Sequence, residues 1–585
     1  MLKRSHQILV AALFGLGFLL SACRYEPAEN ATSIEAAKAP EVATYDTIIR
    51  HGLVVDGSGQ PGKQADVAIQ GDRIAAVGDL SAATAALEID ATGKVVAPGF
   101  INMLSWAVRS LMEDGRGLSD IEQGVTLEVF GEGWSMGPLN DSPETQVMLS
   151  EFMEGEADQV NWTTLGEYLE MLERQGVSPN VASFVGATSL RIHEVGFDNR
   201  PPTDEEMANM KALTHQAMQE GAMGLGSSLI YPPAFFATTE ELVELAKVVG
   251  EYDGMYISHM RSEGNRIEQS VEELITIARE AGIGAEIYHL KLGGKHNWDK
   301  LPTVVKMIED ARAEGLNITT DMYTYIAGGT SLSACFPPWA SDGGQDALLE
   351  RLRDPETRTK IIEAMRTNAD DWENLYYGAG PAGVLLSSVR TDSLKPVLGK
   401  TVEQIATERG TNPEETIVNL VLESENTIGA VFFLMSEDNV KAQMKLPYMS
   451  FGSDAAAQAP EGKVLEQGAH PRTYGNFARV LGKYVRDEKV IPLEEAIYKL
   501  TALPASNLKV KERGNLMAGY FADVVVFDPA TISDHATFEQ PHQLATGMEQ
   551  VFVNGVQVLK DGEHTGAMPG RVVRGPGYKA KASAD

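Results

Sequence analysis

Strand-like and helix-like segments alternate through the middle of this 585-residue chain, and this pattern constrains its fold more than any other feature. Eight strands are predicted at Phe100–Leu104, Thr126–Gly131, Asn180–Val185, Ala222–Ser227, Met255–His259, Ala285–Leu290, Asn317–Met322 and Tyr448–Ser453. The clearest helices between them are predicted at Leu165–Arg174, Glu205–Glu220, Glu240–Tyr252 and Glu268–Ala281. Eight such units predict an α/β fold of the (β/α)8 TIM-barrel type, in which the active site lies at the carboxyl ends of the strands.

The two ends of the chain have a β texture instead. Short strands bounded by turn residues are predicted from Tyr45 to Ala97, and the same texture returns around Val524 and Val551. We therefore predict a small β-sandwich domain built from both chain ends. The stretch after the seventh strand is too long for one loop and predicts a helical insertion that covers the active site. The predicted boundaries are 45–97 and 506–577 for the β-sandwich, 98–505 for the barrel, about 324–447 for the insertion and 578–585 for a tail.

The first residues predict an export signal. Two basic residues precede an apolar run over residues 8–22, which is shorter than the ~20 residues that a membrane-spanning helix needs. The run ends in a Leu-Ser-Ala-Cys pattern at Cys23 that is typical of lipoproteins. We predict a signal peptide over residues 1–23, a lipidated Cys23, a flexible tether over residues 24–44 and a periplasm-facing location. Because Arg24 follows and not Asp, we expect an outer-membrane anchor, with the inner membrane or an uncleaved anchor as alternatives.

Charge and cysteine content exclude several classes of protein. The chain has 82 acidic and 49 basic residues and a formal net charge of −33. Such a charge does not favour binding to phosphate backbones, so we predict no nucleic-acid partner. Two cysteines, Cys23 and Cys335, form neither a disulfide framework nor an all-cysteine zinc site. No oligomeric state is predicted.

Two of the eleven histidines close neighbouring strands of the predicted barrel. His259 ends the fifth strand and His289 ends the sixth. Imidazoles on adjacent strands that point into the barrel mouth form half of a zinc site. A single histidine at a strand end is more often structural, but the pair on consecutive strands favours a metal.

A third ligand is expected from another strand end. Glu132 follows the second strand and shares the inward phase with Glu128, because side chains alternate along a strand. One glutamate with two histidines is a catalytic zinc set that leaves a position open for water. The alternatives for Glu132 are a solvated loop acid or an ion-pair partner of Arg261.

Three further charged residues follow barrel strands. Asp454 ends the eighth strand, where a carboxylate can take a proton from a zinc-bound water and return it to a leaving amine. Its spacing alone favours the N-cap of a following helix. Lys291, two residues after His289, and Arg472, in the loop after the eighth strand, suit a carboxylate on the substrate, or are surface charges.

Short motifs occur along the chain in a characteristic order: Val96–Ile101, Gln123–Thr126, Gly221–Leu225, Tyr231–Pro233, Ser258–Glu263, Gly452–Asp454, His470–Gly475, Val553–Gly555 and Pro569–Arg574. Over roughly residues 45–577 they resemble the amidohydrolase superfamily, and within it the D-aminoacylase (N-acyl-D-amino-acid deacylase) branch. The resemblance implies that His259 and His289 bind metal and that Asp454 is the catalytic acid and base. It also implies a pocket for the substrate α-carboxylate, formed by Lys291, Tyr323, Tyr325 and Arg472.

The sequence departs from this family at the metal site. The family carries His-x-His at the end of strand one, where this chain has Leu104 and Trp106. Leucine and tryptophan do not ligate zinc, so the second metal site is predicted to be absent or crippled. The family's cysteine ligand after strand two is also missing, and Glu132 is the nearest substitute. Strand four has no lysine, which disfavours a two-metal site with a carbamylated lysine.

These observations predict a hydrolase that holds one Zn²⁺ ion and cleaves the amide bond of an N-acyl amino acid of the D series. Zinc bound to His259, His289 and Glu132 would polarise the amide, and Asp454 would move the proton. One alternative is an amidohydrolase for dipeptides that contain D-amino acids, or for cyclic amides. Another is a metal-free lipoprotein that binds peptides in the barrel mouth.

Overall fold

The structure is a computed structural model and describes residues 43–153, 160–424 and 427–580. The predicted signal peptide, Cys23, nearly all of the tether and the last five residues of the tail lie outside the described residues. Within the three described ranges, no helix combines the length and the apolar character needed to cross a bilayer.

The strands in the described part of the chain are β1 Thr44–Val54, β2 Lys63–Gln70, β3 Arg73–Gly78, β4 Thr84–Asp90, β5 Val95–Pro98, β6 Phe100–Asn102, β7 Val125–Phe130, β8 Asn180–Ser183, β9 Val185–Gly186, β10 Gly224–Ser228, β11 Met255–His259, β12 Gly284–Ile287, β13 Ile318–Met322, β14 Gly328–Ser331, β15 Val384–Ser388, β16 Gly429–Phe432, β17 Met449–Phe451, β18 Val524–Phe527, β19 Met548–Val553, β20 Val556–Lys560 and β21 Glu563–His564.

The α-helices there are α1 Ser110–Glu113, α2 Leu118–Ile121, α3 Pro143–Phe152, α4 Leu165–Gln175, α5 Ala187–Glu194, α6 Asp204–Glu220, α7 Thr239–Gly250, α8 Ile267–Ala281, α9 Leu301–Ala313, α10 Gly344–Arg353, α11 Pro355–Met365, α12 Leu375–Ala379, α13 Val402–Arg409, α14 Pro413–Ser424, α15 Glu437–Met444, α16 Arg472–Arg479, α17 Leu493–Leu500 and α18 Ala502–Asn507.

The central strands form the predicted (β/α)8 barrel. Strands β6-β7-β8 and β9-β10-β11-β12-β13-β17 form two parallel ladders, and β8 and β9 are one strand interrupted at Phe184. The ring closes between its last and first strands, where Met103 N donates to Phe451 O at 3.2 Å and Ser105 pairs with Ala455 in a parallel bridge. The barrel brings the carboxyl ends of all its strands to one mouth.

Amphipathic helices pack on the outside of this barrel. In α8, Val271, Leu274 and Ala278 are buried at helical spacing and lie in the core that the outer helices share with the barrel strands. The helix ends at Ala281 and is followed by Gly282, whose φ of 69° is the left-handed conformation that glycine adopts at little cost. Only Gly282 and Ile283 separate this helix from β12, so the position of the helix helps to set where β12 begins.

Both chain ends contribute to one further sheet, in the order β21-β20-β19-β18-β5-β1-β2-β3, with β4 paired to β1. Strand β18 from the C-terminal end pairs antiparallel with β5 from the N-terminal end. Its side chains alternate between two cores: Val524 and Val526 pack with the residues of β1 and β2, whereas Val525 and Phe527 face the larger core.

The segment between β13 and β17 is a mixed α/β insertion. It holds α10–α15 together with a three-stranded antiparallel sheet in the order β14-β16-β15. This small sheet was not part of the predicted helical insertion, because its strands are only four or five residues long and lie between stronger helical patterns.

Candidate active site

A cavity of about 570 Å³ lies at the carboxyl ends of the barrel strands. Residues that follow barrel strands form part of its lining: Trp106, Glu132, His259, Lys291, Tyr323, Asp454 and Arg472. Residues of the insertion complete it: Thr330, Ser331, Phe336, Trp372, Glu373, Phe432 and Leu434. The insertion therefore forms part of the wall of this cavity, and the space suits a small molecule with apolar and polar parts.

Glu132, His259 and His289 meet at one point of the barrel mouth. Glu132 Oε1 lies 2.9 Å from His259 Nδ1 and 2.9 Å from His289 Nε2. All three residues are buried, and their potential ligand atoms lie within 4.8 Å of one another. The structure thus brings together the three residues that the sequence predicts as metal ligands.

Glycines on both sides of Glu132 direct its side chain into the barrel. Gly131 has φ of 109° and Gly133 has φ of 74°, which residues with a Cβ rarely adopt. A Cβ on Gly131 would lie 2.5 Å from the carbonyl oxygen of Phe184, so the chain also needs glycine to pass so close to β8. The carboxylate contacts both histidines and not Arg261, whose guanidinium pairs with Glu273 at 2.8 Å.

The two histidines reach the site by different backbone routes. His259 is the last residue of β11, as predicted, but β12 ends at Ile287, two residues before His289. His289 has φ of 34°, and its backbone N donates to Asp321 Oδ1 at 2.9 Å. A positive φ of this kind is stored strain that persists only where surrounding contacts fix it, as is common at functional sites.

The three side chains fit a zinc ion. Two imidazole nitrogens and one carboxylate oxygen are a donor set that catalytic zinc sites use, and such sites leave a further position for water or substrate. We therefore treat this group as a candidate metal centre.

Glu263 and Lys291 form a charged layer behind His289. Glu263 Oε1 lies 3.0 Å from His289 Nδ1 and 2.9 Å from Lys291 Nζ. Burial alone would raise the pKa of Glu263, but Lys291 and the two histidines lower it to about 2. Lys291 Nζ also lies 2.6 Å from His289 Nδ1, so Lys291 and Glu263 together fix the imidazole with Nε2 facing the candidate metal centre, the arrangement that outer partners of metal ligands usually provide.

Asp454 lies beside this centre. It has φ of 51°, and its Oδ2 is 2.7 Å from Arg472 Nη1. Burial raises the pKa of Asp454, Arg472 lowers it and the nearby Glu132 raises it, with a net upward shift. A raised pKa suits a group that both accepts and returns a proton. Residues 455–461 are not helical, so Asp454 does not cap a helix there.

Arg472 and Tyr323 offer donors to a ligand in the cavity. Arg472 is the first residue of α16, and its guanidinium lies 4.5 Å from the centroid of the Tyr323 ring. In the described chain, Arg472 Nε and the Tyr323 hydroxyl are buried without a hydrogen-bond partner. A buried donor without a partner is costly, and a substrate carboxylate would satisfy both groups.

Tyr325 does not join this group. It is absent from the described residues that line the cavity, and its hydroxyl donates to Asp534 Oδ2 at 3.3 Å. The guanidinium of Arg479 lies 4.7 Å from the centroid of its ring. The Tyr325 hydroxyl is therefore already engaged by Asp534.

The sequence interpretation missed two acids of the site. Glu263 ends the Ser258–Glu263 motif, four residues after His259, so its position in the sequence was a usable signal. Glu373 had no such signal, because it comes from the insertion; its carboxylate accepts a hydrogen bond from Glu263 N. Burial and the Glu263 charge raise the pKa of Glu373 to about 8.

Comparisons with known proteins agree with this site. Residues 346–559 match the model of the "Amidohydrolase family". The chain is 34% identical to D-aminoacylase of Alcaligenes xylosoxydans xylosoxydans over 531 residues, which cover 90% of this chain and 97% of that one. A solved D-aminoacylase structure aligns at 34% identity and a TM-score of 0.75, covering 91% of this chain and 100% of that chain. That structure concerns a binuclear metal centre, with activation by one metal and attenuation by a second.

An N-acyl-D-glutamate deacylase from Bordetella bronchiseptica, solved with zinc and a phosphonate inhibitor that mimics the tetrahedral intermediate, aligns at 29% identity and a TM-score of 0.74. The alignment covers 91% of this chain and 100% of that chain. Fold, site and relatives define an amidohydrolase. Within that superfamily, this chain belongs to the branch of D-aminoacylase and the N-acyl-D-amino-acid deacylases.

Proposed function

We propose that this protein hydrolyses the amide bond of N-acyl-D-amino acids, releasing the free amino acid and a carboxylate, and that it uses one zinc ion. The observation that carries the proposal is the convergence of Glu132, His259 and His289 on one point beside Asp454. The names of the relatives support the substrate class, because they include a D-aminoacylase and a deacylase of N-acyl-D-glutamate.

Glu132, His259 and His289 would hold the ion. A bound zinc ion supplies Lewis acidity, which polarises an amide carbonyl and lowers the pKa of water. Asp454, on the cavity side of the site, takes the proton of the attacking water and then delivers it to the leaving nitrogen. Arg472 keeps the Asp454 carboxylate in place at 2.7 Å, so the proton acceptor is oriented before the substrate arrives.

The substrate carboxylate would be bound by Arg472, Lys291 and Tyr323. The Tyr323 hydroxyl and Arg472 Nε have no partner in the described chain, and Lys291 Nζ, engaged by Glu263, adds positive charge. Hydrogen bonds between charged groups in a buried site are strong and directional. Phe336, Trp372 and Phe432 give the same cavity an apolar part for an acyl group or a side chain.

The proposal of a single ion rests on the end of strand one. Leu104 and Trp106 stand where the resembling family carries two histidines, and neither side chain ligates zinc. D-aminoacylase itself is described with a binuclear centre and with attenuation by the second metal. Because this chain lacks the strand-one pair, we expect its activity not to fall when excess zinc is added.

A substrate panel tests the hydrolytic proposal. The purified protein is offered matched N-acetyl-D- and N-acetyl-L-amino acids, a dipeptide that contains a D-amino acid, and a cyclic amide. We expect turnover of the N-acetyl-D-amino acids, at least tenfold faster than their L counterparts, and loss of turnover after chelation. Turnover of only the dipeptide or the cyclic amide would replace the proposed substrate, and no metal-dependent turnover would favour a binding protein.

We also propose that the protein is an exported bacterial lipoprotein, anchored in the outer membrane through Cys23. The support is the basic start, the apolar run over residues 8–22 and the Leu-Ser-Ala-Cys pattern. Palmitate labelling of cells that express the full chain, compared with a Cys23→Ser variant, tests the anchor. Equal labelling of both proteins, or no labelling of either, would contradict it.

A further inference from the structure

Trp106 connects the two carboxylates of the site. Its indole Nε1 lies 2.8 Å from Glu132 Oε2 and 3.1 Å from Asp454 Oδ1. The second oxygen of each carboxylate is engaged elsewhere, Glu132 Oε1 with the two histidines and Asp454 Oδ2 with Arg472. One N–H group therefore fixes the rotation of the candidate metal ligand and of the candidate proton acceptor together.

The backbone holds this tryptophan firmly against Asp454. Trp106 N donates to Ala455 O at 2.9 Å, and Asp454 N donates to Leu104 O at 2.8 Å. These bonds link the ends of the first and last barrel strands, on either side of the two side chains. Because both backbones are fixed, the indole N–H has a defined direction and does not need to be ordered when a substrate binds.

Electrostatics explain why a donor is needed there. Glu132 is buried and the Asp454 side chain is 11% exposed, and two carboxylates that share one N–H group repel each other, although Arg472 pairs with one oxygen of Asp454. Without the strand-one histidines, this position offers no ligands for a second cation that would neutralise the pair. An N–H donor shared by both carboxylates offsets part of that repulsion and adds no net charge.

We infer that Trp106 is a positioning residue that does, through its indole N–H, what a second metal ion would otherwise do: it aligns Glu132 towards the two histidines and Asp454 towards the cavity. The inference rests on the proposed function for its catalytic part. Its metal-binding part is independent of the substrate, because it concerns how tightly the Glu132 site holds zinc.

The test is Trp106→Phe in the full chain, with Trp162→Phe as a matched control. Trp162 is buried, whereas Trp106 is partly buried, and its replacement also removes a hydrogen bond, from Nε1 to Met136 O at 2.7 Å, but Trp162 lies outside the lining of the active-site cavity. For Trp106→Phe we expect zinc affinity, measured by competition with a chromophoric chelator, to fall about 10–100-fold. We expect kcat to fall by a similar factor with KM within about threefold, and the control to match the wild type.

Wild-type zinc affinity and wild-type kcat in Trp106→Phe would overturn the inference. If the wild type turned over no N-acyl-D-amino acid, the proposed function would fail, yet the chelator competition would still decide the role of Trp106 at the metal site. The double variant Leu104→His/Trp106→His places two potential metal ligands at the end of strand one. We expect equilibrium dialysis to show that this double variant binds two zinc ions. A double variant that binds only one would contradict the inference that Trp106 takes the place of a second metal ion.

Discussion

The imidazole rings of His259 and His289 lie 4.6 Å apart between their centroids, with their planes at 83°. Rings in this T-shaped arrangement present Nδ1 of His259 and Nε2 of His289 to the same oxygen of Glu132. Two residues 30 positions apart in the sequence are thereby directed at one point by adjacent strands of the barrel. A structural role for either histidine alone would not require this convergence.

Glu132 is expected to be a metal ligand, so Glu132→Gln should lower zinc affinity by at least about tenfold because it removes an anionic donor but keeps the shape. Glu128→Gln is the matched control. Glu128 is buried on β7, four residues before Glu132, and its Oε2 accepts a hydrogen bond from Asn102 at 2.9 Å, away from the two histidines. Chelator competition measures both variants, and equal affinities would exclude Glu132 from the ligand set.

Asp454 is expected to move the proton, so Asp454→Asn should reduce kcat at least about 100-fold while the protein keeps its zinc. The asparagine oxygen can still accept from Trp106, which limits the structural disturbance. Zinc content by elemental analysis and initial rates with an N-acetyl-D-amino acid check the two halves of this prediction. A variant with both its zinc and the wild-type rate would show that another group is the acid and base.

Tyr323 and Tyr325 make a matched pair for the carboxylate pocket. We expect Tyr323→Phe to raise KM about tenfold with little change in kcat, and to leave stability unchanged or slightly higher, because its buried hydroxyl has no partner within the described residues. Tyr325→Phe should leave KM unchanged and cost about 1 kcal/mol of stability, since it breaks the bond to Asp534. Steady-state kinetics and thermal unfolding that gave the opposite assignment would move the pocket to Tyr325.

Glu122, at the end of α2, gives a prediction for the pH dependence of stability. Burial raises the pKa of Glu122 to about 7, so the folded state favours the neutral acid. The contribution of Glu122 to the free energy of unfolding is then most favourable below the pKa of about 4.3 that it has in the unfolded state. This contribution is lost as the pH rises to about 7. We expect Glu122→Gln to stabilise the protein at pH 8 by about 1–2 kcal/mol, allowing for partial exposure, and not at pH 4.

Thermal unfolding at both pH values checks this prediction. For a chain of this size the gain at pH 8 corresponds to a rise in Tm of about 1–2 °C. Glu363→Gln is the control, because Glu363 is an exposed glutamate on α11. The same Tm difference between Glu122→Gln and the wild type at pH 4 and pH 8 would mean that burial of this carboxyl is not the cause.

The barrel and much of the site could be predicted from the sequence because both depend on local patterns. Alternation of strand and helix predicts the order of the units, and His259 could be placed at a strand end from its own strand. The backbone at Lys291 could not be placed in this way, because β12 ends at Ile287 and the chain turns at His289.

The features that were missed depend on contacts between distant segments. Trp106 could be recognised as a lost ligand, but its two hydrogen bonds arise only when strand one closes against strand eight. Glu373 reaches the site from an insertion whose packing has no local signature. Long-range contacts of this kind are set by the tertiary fold, which propensity and periodicity do not encode.

Titration of metal-free enzyme with zinc tests the central claim most directly. Protein freed of metal by chelation and dialysis is given increasing amounts of zinc while hydrolysis of an N-acetyl-D-amino acid is followed. We predict no turnover without metal, a linear rise up to one equivalent and a flat response beyond it. Full activity without metal, or activity that requires a second equivalent or falls after the first, would contradict a single zinc ion held by Glu132, His259 and His289.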